Sequence, residues 1–139
     1  MNDRYLYRAK RMDNGEWVIG NLLLDIEKAK TLETYRIYPV DYVDICRIVD
    51  PSTICQCTGR RDEDSKLIFE HDIVGFLDCT STENGYSEHG CVGEVLWDDE
   101  TLSFQVTGRL SAESYEVLGG ADCKVLGNIF DNPELLEVE

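Results

Sequence analysis

The chain has 139 residues, of which 42% are hydrophobic and 29% are charged. That length fits one domain with a core of its own, and that hydrophobic fraction argues against wholesale disorder. Asp and Glu total 28 against 13 Lys and Arg, so the formal net charge is -15. This charge disfavours general binding to nucleic acids and to anionic membranes, and it favours a basic or neutral partner surface.

The N-terminus has no apolar segment of the signal-peptide type, and no run of about 18 apolar residues occurs in the chain. We therefore expect a cytoplasmic protein, in a compartment where thiols stay reduced. On that basis we predict thiols rather than disulfides for the six cysteines, at positions 46, 55, 57, 79, 91 and 123.

The first strands are predicted at the N-terminus. Residues 5–12 and 16–24 are strand-like and are joined by Asp13-Asn14-Gly15, a sequence that favours a hairpin turn. The one markedly basic cluster of the chain lies on and just before the first of these strands, and it consists of Arg4, Arg8, Lys10 and Arg11.

Residues 25–34 (DIEKAKTLET) have helical spacing and predict a short helix. Residues 35–50 return to the alternation of a strand, and Pro39 marks a strand end or a sheet edge. No linker and no internal repeat divides the sequence, so we predict a single domain over residues 1–139.

The second half of the chain predicts a strand over residues 72–78 and a hairpin over residues 93–106. In this hairpin Val95 and Trp97 share a face and pack against residues of the returning strand. The polar residues 79–90 predict a long loop, the most mobile part of the chain. A last strand, KVLGNIF, is followed by a short helical turn that begins at Pro133.

Short strands with hairpin connections and little helix predict a mainly β protein. We expect a small SH3-like barrel or a strongly bent antiparallel sheet with one or two short helices.

Three separated segments form a recognisable pattern: RAKR with GEWVIG near the N-terminus, residues 56–74, and GNIFDNPELL near the C-terminus. In this order they resemble the YopX family of phage and prophage proteins, whose function is uncharacterised. The resemblance implies a mainly β, SH3-barrel-like domain in a bacterial host cell, and it implies no activity. The positions that match the middle pattern are Gln56, Thr58, Gly59, Asp62, Ile68, Glu70, Asp72, Ile73 and Val74.

Two residues depart from the family pattern. Ser65 and His71 stand where the family usually has glycine. If the second glycine position requires a positive φ, His71 must carry backbone strain, although histidine tolerates this conformation better than most residues.

Cys55 and Cys57 could supply two zinc ligands, but the remaining cysteines stand singly, whereas structural zinc sites usually combine two closely spaced pairs. Because residues two apart in a strand point to the same face, we favour burial of both thiols over metal binding.

Glu70 and Asp72, with Asp62, could bind a divalent cation. We favour an acidic turn in which a carboxylate accepts backbone N–H bonds. His71 and His89 have no recognisable nucleophile or orienting partner, so they predict no catalytic triad.

We therefore predict no catalytic residues, no metal and no cofactor, and we interpret the nine motif positions as structural. The leading hypothesis is a non-enzymatic phage-type accessory protein that acts by protein–protein contact. One alternative is an acidic DNA mimic, and a weaker one is a metal-dependent hydrolase that uses Asp62, Glu70 and Asp72. Homo-oligomerisation is left open, and direct binding to nucleic acid is not expected.

Overall fold

The structure is a computed structural model that describes residues 3–24, 35–40, 46–108 and 123–137; the side chains of residues 78–82 and 86 are not described. The helix predicted over residues 25–34 lies outside the described residues. The chain divides into two compact units, residues 1–59 and residues 60–139, and each is described by itself. The expectation of one domain over residues 1–139 stays a prediction.

The described residues form ten strands. Seven pairs of neighbouring strands have a defined register, and all seven are antiparallel. They are β1 (Tyr7–Lys10), β2 (Trp17–Leu24), β3 (Tyr35–Pro39), β4 (Arg47–Ile48), β5 (Cys55–Arg61), β6 (Leu67–Phe69), β7 (Asp72–Thr82), β8 (Gly85–Asp98), β9 (Ser103–Val106) and β10 (Cys123–Asn128). Three short 3-10 helices accompany them: Asp3–Tyr5, Pro51–Thr53 and Pro133–Glu137.

The strands of unit 1 follow the order β4-β3-β2-β1-β5. The predicted N-terminal hairpin is present as β1 and β2, and Gly15 in its turn has a φ of +73°, which a residue with a side chain adopts at a cost. Pro39 is the last residue of β3, as predicted. Ala9, Ile37 and Val49 are fully buried and form the core of this unit.

The sheet of unit 2 has the order β10-β7-β8-β9. Its core contains Ile68, Val74, Phe76, Val95 and Val106 with two cysteines. The predicted hairpin of residues 93–106 is confirmed in its essential register: Val95 lies opposite Val106 and Trp97 opposite Phe104. The two aromatic rings meet edge to face, with centroids 5.1 Å apart.

The prediction of a long loop over residues 79–90 is wrong. These residues extend β7 and β8 into one hairpin, in which the pairing runs from Asp78 opposite His89 to Thr82 opposite Gly85. The error came from using polarity as the sign of a loop. Antiparallel strands are held by backbone hydrogen bonds, which polar side chains do not prevent.

The mainly β class is confirmed, with two antiparallel sheets. The predicted SH3-like closed barrel is not found in the described part of the chain, where the sheet of unit 2 is open because β10 and β9 are its two edges. The short helices observed in the described ranges are 3-10 helices, with no α-helix among them. None of the helices in these ranges is long and apolar enough to cross a membrane.

Candidate protein-binding surface

Asp62 is the centre of the turn between β5 and β6. Its side chain is buried, with 3% of the residue exposed. Its Oδ1 accepts hydrogen bonds from the backbone N–H groups of Asp64 (2.9 Å) and Lys66 (2.8 Å), and its Oδ2 accepts one from Val125 (2.9 Å). Asp62 therefore closes its own turn and ties that turn to β10, 63 residues further along the chain.

The environment of Asp62 acts on its ionisation in two opposing ways. Burial, the largest single influence, raises the pKa of the carboxyl group because it disfavours the charged form. The three backbone hydrogen bonds and the charge of Lys66 favour the carboxylate, and together they outweigh burial, so the pKa of Asp62 is lowered. A buried carboxylate that already accepts three backbone N–H groups has little capacity left for a metal ion or a substrate.

Both residues that stand where the resemblance to the YopX family places a glycine have positive φ angles. Ser65 has a φ of +66° and His71 a φ of +70°, so the expectation of a left-handed backbone at His71 is confirmed. This conformation costs a non-glycine residue about 1–2 kcal/mol. The side chain of Ser65 is exposed, whereas His71 makes contacts that offset part of this cost.

The contacts of His71 lie within unit 2. Its Nδ1 is hydrogen-bonded to Oε2 of Glu94 at 2.8 Å, and its ring lies edge to face with that of Phe130, with the centroids 5.9 Å apart. Its backbone N–H donates to the carbonyl of Val95 (2.7 Å), and its carbonyl accepts from the N–H of Ile129 (3.1 Å). His71 thus connects β8 to the C-terminal segment. None of the residues in these contacts is a nucleophile.

Asp72 and Glu70 flank His71 in the same turn. Asp72 is buried, and its Oδ2 accepts the N–H of Phe69 at 2.8 Å, which is the turn contact expected for an acidic residue here. Glu70 is partly exposed, and its Oε2 is 3.9 Å from Nε2 of His71. In the described ranges of the chain, no group of three or more His, Cys, Asp or Glu residues is arranged to hold a metal ion.

The other motif positions divide between the two units. In unit 1, Thr58 is buried, Gly59 has a φ of +82°, and Nε2 of Gln56 donates to the carbonyl of Arg4 at 3.4 Å. In unit 2, the side chains of Ile68, Ile73 and Val74 are fully buried.

Cys55 and Cys57 are both fully buried on β5. The Sγ of Cys55 donates to the carbonyl of Thr53 (3.2 Å), and the Sγ of Cys57 accepts from the N–H of Gly59 (3.5 Å). The predicted joint burial is confirmed. Each cysteine with a described side chain is a thiol: Cys46, Cys55, Cys57, Cys91 and Cys123.

The C-terminal motif forms a second hydrogen-bonded turn. Oδ1 of Asn128 accepts the N–H groups of Phe130 and Asp131 at 2.9 Å each, and Oδ1 of Asn132 accepts the N–H of Asn128 at 3.3 Å. Pro133 begins the 3-10 helix, as predicted for its fixed φ. Through the hydrogen bond from the N–H of Asn128, the side chain of Asn132 stabilises the turn that precedes this helix.

The basic cluster of the first hairpin is engaged by neighbouring side chains. The guanidinium of Arg8, a buried residue, lies 4.8 Å from the ring centroid of Trp17, and Nζ of Lys10 lies 5.4 Å from the same centroid. Arg11 forms an ion pair with Asp13 at 2.6 Å. This cluster is therefore a poor candidate for a phosphate-binding surface.

The negative charge is distributed unevenly between the units. Residues 60–139 hold 19 of the 28 acidic residues and 5 of the 13 basic residues, which gives a formal charge of -14. Residues 1–59 hold 9 acidic and 8 basic residues, a charge of -1. A positively charged partner is therefore attracted mainly by unit 2.

Unit 2 also exposes an apolar patch, formed by Leu77, Val92 and Leu126, which are 59%, 36% and 45% exposed. Gly75 lies opposite Val92 across the sheet, and a Cβ at Gly75 would lie 3.2 Å from Cδ1 of Leu126, so the glycine leaves room for this leucine. Leu77 is the next residue of β7 on the same face and lies opposite Gly90. The patch thus spans β7, β8 and β10.

Carboxylates border the apolar patch. On β8, Glu88 and Glu94 lie on the same face as Val92 because residues two or four apart in a strand share a face. Glu88 is exposed, and Glu94 is bonded to His71. On the neighbouring strand β10, Lys124 lies opposite Gly75, and its Nζ is 3.7 Å from Oδ2 of Asp64. The patch is therefore flanked by two carboxylates along β8, of which Glu88 is the exposed one, and by Lys124, which is paired with Asp64, along β10.

Sequence reasoning missed this patch. The alternation of Gly75 with Leu77, and of Val92 with Glu88 and Glu94, is a sign of one half-polar sheet face. It became visible only with the correct strand assignment, since Glu88 lies in the segment that was predicted to be a loop.

The fold resembles that of a protein of known structure. It is similar to the crystal structure of protein EF1440 from Enterococcus faecalis, with a TM-score of 0.52 and 21% sequence identity over 94% of this chain and 96% of that chain. At this identity the similarity is one of fold. No curated protein matches the chain.

The matched family gives the identity of the chain. The model of the YopX protein family matches residues 6–137, which include the N-terminal hairpin, the Asp62 and His71 turns and the C-terminal turn. The chain therefore belongs to the YopX family.

Proposed function

We propose that this chain is a non-enzymatic accessory protein of phage or prophage type that acts by protein–protein contact. The partner has a basic surface with an apolar centre. This surface of the partner binds the apolar patch of unit 2. The observation that carries the proposal is the location of the patch: it is bordered by carboxylates within the unit of charge -14.

The charges and the patch have different roles in this proposal. Long-range attraction accelerates the encounter with a basic partner, while burial of apolar side chains at the centre of an interface supplies most of the affinity. Leu77 and Leu126 each keep about half of their surface exposed, so covering them contributes about 1 kcal/mol apiece. A second copy of this chain is disfavoured as the occupant, because it would bring a second unit of charge -14 to the same face.

The nine motif positions support the fold in this proposal. Asp62 and Asp72 are buried and accept backbone N–H groups, and Ile68, Ile73 and Val74 are buried, so these five residues have little surface to offer a ligand. Gly59 is exposed and supports the fold through its positive φ.

A second candidate function is the DNA mimic, in which the partner is a DNA-binding protein. This function is supported by the concentration of negative charge in unit 2, because a DNA mimic needs its carboxylates close together and not spread evenly along the chain. It additionally requires carboxylates spaced like phosphates, so that duplex DNA and this chain compete for the same surface of the partner.

The experiment uses three baits: the wild-type chain, the Leu77→Thr/Val92→Thr double variant and the control Leu24→Thr. Leu24 is 53% exposed on β2 of unit 1, so its substitution removes a comparable apolar side chain elsewhere. Proteins captured from bacteria that carry YopX-type prophages are identified by quantitative mass spectrometry. Each specific partner is then purified and titrated at two salt concentrations, with and without duplex DNA.

The proposal predicts a basic partner whose affinity falls at least tenfold in the double variant, falls with salt and is unchanged by Leu24→Thr. Competition by duplex DNA would identify the mimic. Three results contradict the proposal: equal binding by the double variant, turnover of a nucleotide or peptide substrate, or a loss of more than about 1 kcal/mol of folding stability in the double variant. The last result would mean that the patch is covered by the chain itself, since exposed substitutions are usually within about 0.5 kcal/mol.

A further inference from the structure

The two edge strands of the sheet in unit 2 differ on their outer sides. On β10, the N–H of Val125 donates to Oδ2 of Asp62 at 2.9 Å. The carbonyl of Cys123, two residues earlier, accepts from the N–H of Glu63 at 2.9 Å. The turn after β5 therefore covers the outer side of β10. The opposite edge is β9, which has no further strand beside it in the described part of the chain.

Phe104 and Val106 carry the backbone groups on the outer side of β9. The N–H of Thr107 donates to the carbonyl of Glu94 at 3.0 Å, so these two residues form a hydrogen-bonded pair between β9 and β8. In an antiparallel ladder such pairs alternate with pairs that exchange no hydrogen bonds, so the N–H and C=O groups of residues 104 and 106 point away from β8. Each of the two residues thus presents one donor and one acceptor at the edge of the sheet.

Two contacts agree with this orientation. The carbonyl of Val95, which lies opposite Val106, accepts from the N–H of His71 on the side of β8 that faces β7. The rings of Trp97 and Phe104 meet at 5.1 Å, as expected for a pair that exchanges no hydrogen bonds, because its side chains lie closest. In the described ranges, neither residue 104 nor residue 106 makes a backbone hydrogen bond on the outer side of β9.

The strand β9 lacks most of the features by which edge strands avoid pairing with other chains. Its sequence, SFQV, contains no charged residue and no proline, and its register with β8 runs without a bulge. One face is polar, with Nε2 of Gln105 donating to Oγ of Ser103 at 2.7 Å. The other face carries Phe104 and Val106, which pack in the core. The shortness of β9 limits an added strand to the outward backbone groups of these two residues.

We infer that β9 accepts an extended segment of a basic protein as an additional strand of the sheet. The backbone of this segment binds the outward N–H and C=O groups of Phe104 and Val106, and every second side chain extends the apolar face beside them. Unit 2 has a formal charge of -14, and the residues that lead into β9 include Asp98, Asp99 and Glu100, so the segment carries basic residues at its ends. A second copy of the chain is disfavoured as the added strand, because two units of charge -14 would meet.

The inference does not rest on the proposed contact at the apolar patch. The patch spans β7, β8 and β10, whereas the added strand lies beside β9. The Leu77→Thr/Val92→Thr variant, which removes most of the patch, should therefore bind an extended peptide as the wild-type chain does. The failure of one proposal then leaves the other intact.

The first test uses the peptide Ac-KTVTVTK-NH₂, which has valine on one face, threonine on the other and lysine at both ends. It is titrated into the full-length ¹⁵N-labelled chain, and we expect it to shift the amides of residues 103–107 in NMR spectra. With the valines opposite Phe104 and Val106, the valine amides face β9. A peptide with both valines N-methylated should therefore bind at least tenfold more weakly, and Ac-ETVTVTE-NH₂ should also bind more weakly, by a margin that shrinks with salt.

The second test is hydrogen exchange of the wild-type chain, with neighbouring amides of the same strand as the internal control. The N–H groups of Gln105 and Thr107 face β8 and should exchange slowly, whereas those of Phe104 and Val106 face outward and should exchange fast. The peptide should slow the exchange of the outward pair.

The third test compares Phe104→Pro with Phe104→Ala. Both variants lose the ring contact with Trp97, and Phe104→Pro also loses the outward N–H, at a position where an edge strand tolerates proline. The Phe104→Pro variant should bind the valine peptide at least fivefold more weakly than Phe104→Ala, as expected for the loss of a backbone hydrogen bond.

The inference is overturned if the valine peptide shifts none of these amides at millimolar concentration, or if the N-methylated or the glutamate peptide binds equally well. It is also overturned if the outward amides of the free chain exchange as slowly as the inward ones, because the edge would then be covered by the chain itself or, where exchange depends on protein concentration, by a second copy. Loss of peptide binding in a folded Leu77→Thr/Val92→Thr variant would place the peptide on the patch and overturn it as well. Equal binding by Phe104→Pro and Phe104→Ala contradicts the inference, and if Phe104→Pro does not fold, the N-methylated peptide and the exchange of the wild-type chain decide.

Discussion

Replacing Asp62 with asparagine keeps the shape of the side chain and removes its charge. The carboxylate accepts three backbone N–H groups, two on Oδ1 and one on Oδ2. An asparagine has one oxygen, so its better orientation keeps the bonds from Asp64 and Lys66 and turns its NH₂ group toward the N–H of Val125. One buried donor then loses its acceptor, and the two retained bonds lose their ionic character.

These two losses set the expected magnitude. A buried donor without its acceptor costs about 1–3 kcal/mol, and replacing an ionised acceptor with a neutral one weakens each remaining bond by about half. We expect Asp62→Asn to lower the free energy of unfolding by about 2–4 kcal/mol at pH 7. For a chain of this length, that corresponds to a fall in Tm of roughly 6–12 °C.

The pH dependence of this difference follows from the lowered pKa of Asp62 in the folded chain. In the window between the folded and unfolded pKa values, the unfolded chain binds more protons, so the contribution of Asp62 rises with pH. It is complete above the unfolded value of about 4 and is lost as the pH falls through the lower folded value. The gap between wild type and Asp62→Asn should therefore be constant from pH 6 to 8 and should shrink below about pH 4.

The assay is urea unfolding followed by tryptophan fluorescence at pH 7 and at several values between 5 and 3. The matched control is Asp64→Asn: Asp64 is exposed, its carboxylate is 3.7 Å from Nζ of Lys124, and we expect a change below about 0.5 kcal/mol. The reasoning is refuted if Asp62→Asn costs no more than this control, or if the gap between wild type and variant stays the same down to pH 3.

Two further predictions concern the positive φ angles. Ser65→Gly should stabilise the chain by about 0.5–1 kcal/mol in urea unfolding, because the exposed serine contributes a strained backbone; no gain would show that the turn tolerates serine without strain. At position 71, both alanine and glycine lose the contacts with Glu94 and Phe130, so a comparison of His71→Gly with His71→Ala isolates the backbone. The glycine variant should be about 1 kcal/mol more stable, and equal stabilities would contradict a left-handed His71.

The sequence was most informative where the signal is local. Asp13-Asn14-Gly15 predicted its hairpin because the need for positive φ is a property of the turn itself. The shared face of Val95 and Trp97 followed from the two-residue period of a strand. The glycine positions of the family pattern predicted a positive φ at His71, although they could not predict that Glu94 and Phe130 would contact its ring.

The sequence was misleading where polarity was taken as the sign of a loop. Residues 79–90 are polar and nevertheless extend the hairpin of β7 and β8, because pairing between two strands depends on backbone groups that every residue other than proline carries in full. The missed apolar patch is a consequence of this error, since Glu88, the exposed carboxylate beside it, lies in this segment.

By itself, the sequence determined the family, the mainly β class, the local turns and the excess of negative charge, since these depend on residue identity and short-range spacing. The tertiary structure decided the rest. It brought the N–H of Val125 to Asp62 across 63 residues, divided the charge into units of -1 and -14, and left Leu77, Val92 and Leu126 exposed on one face. Contact between distant strands and the exposure of a side chain depend on how the strands pair, which spacing along the chain does not specify.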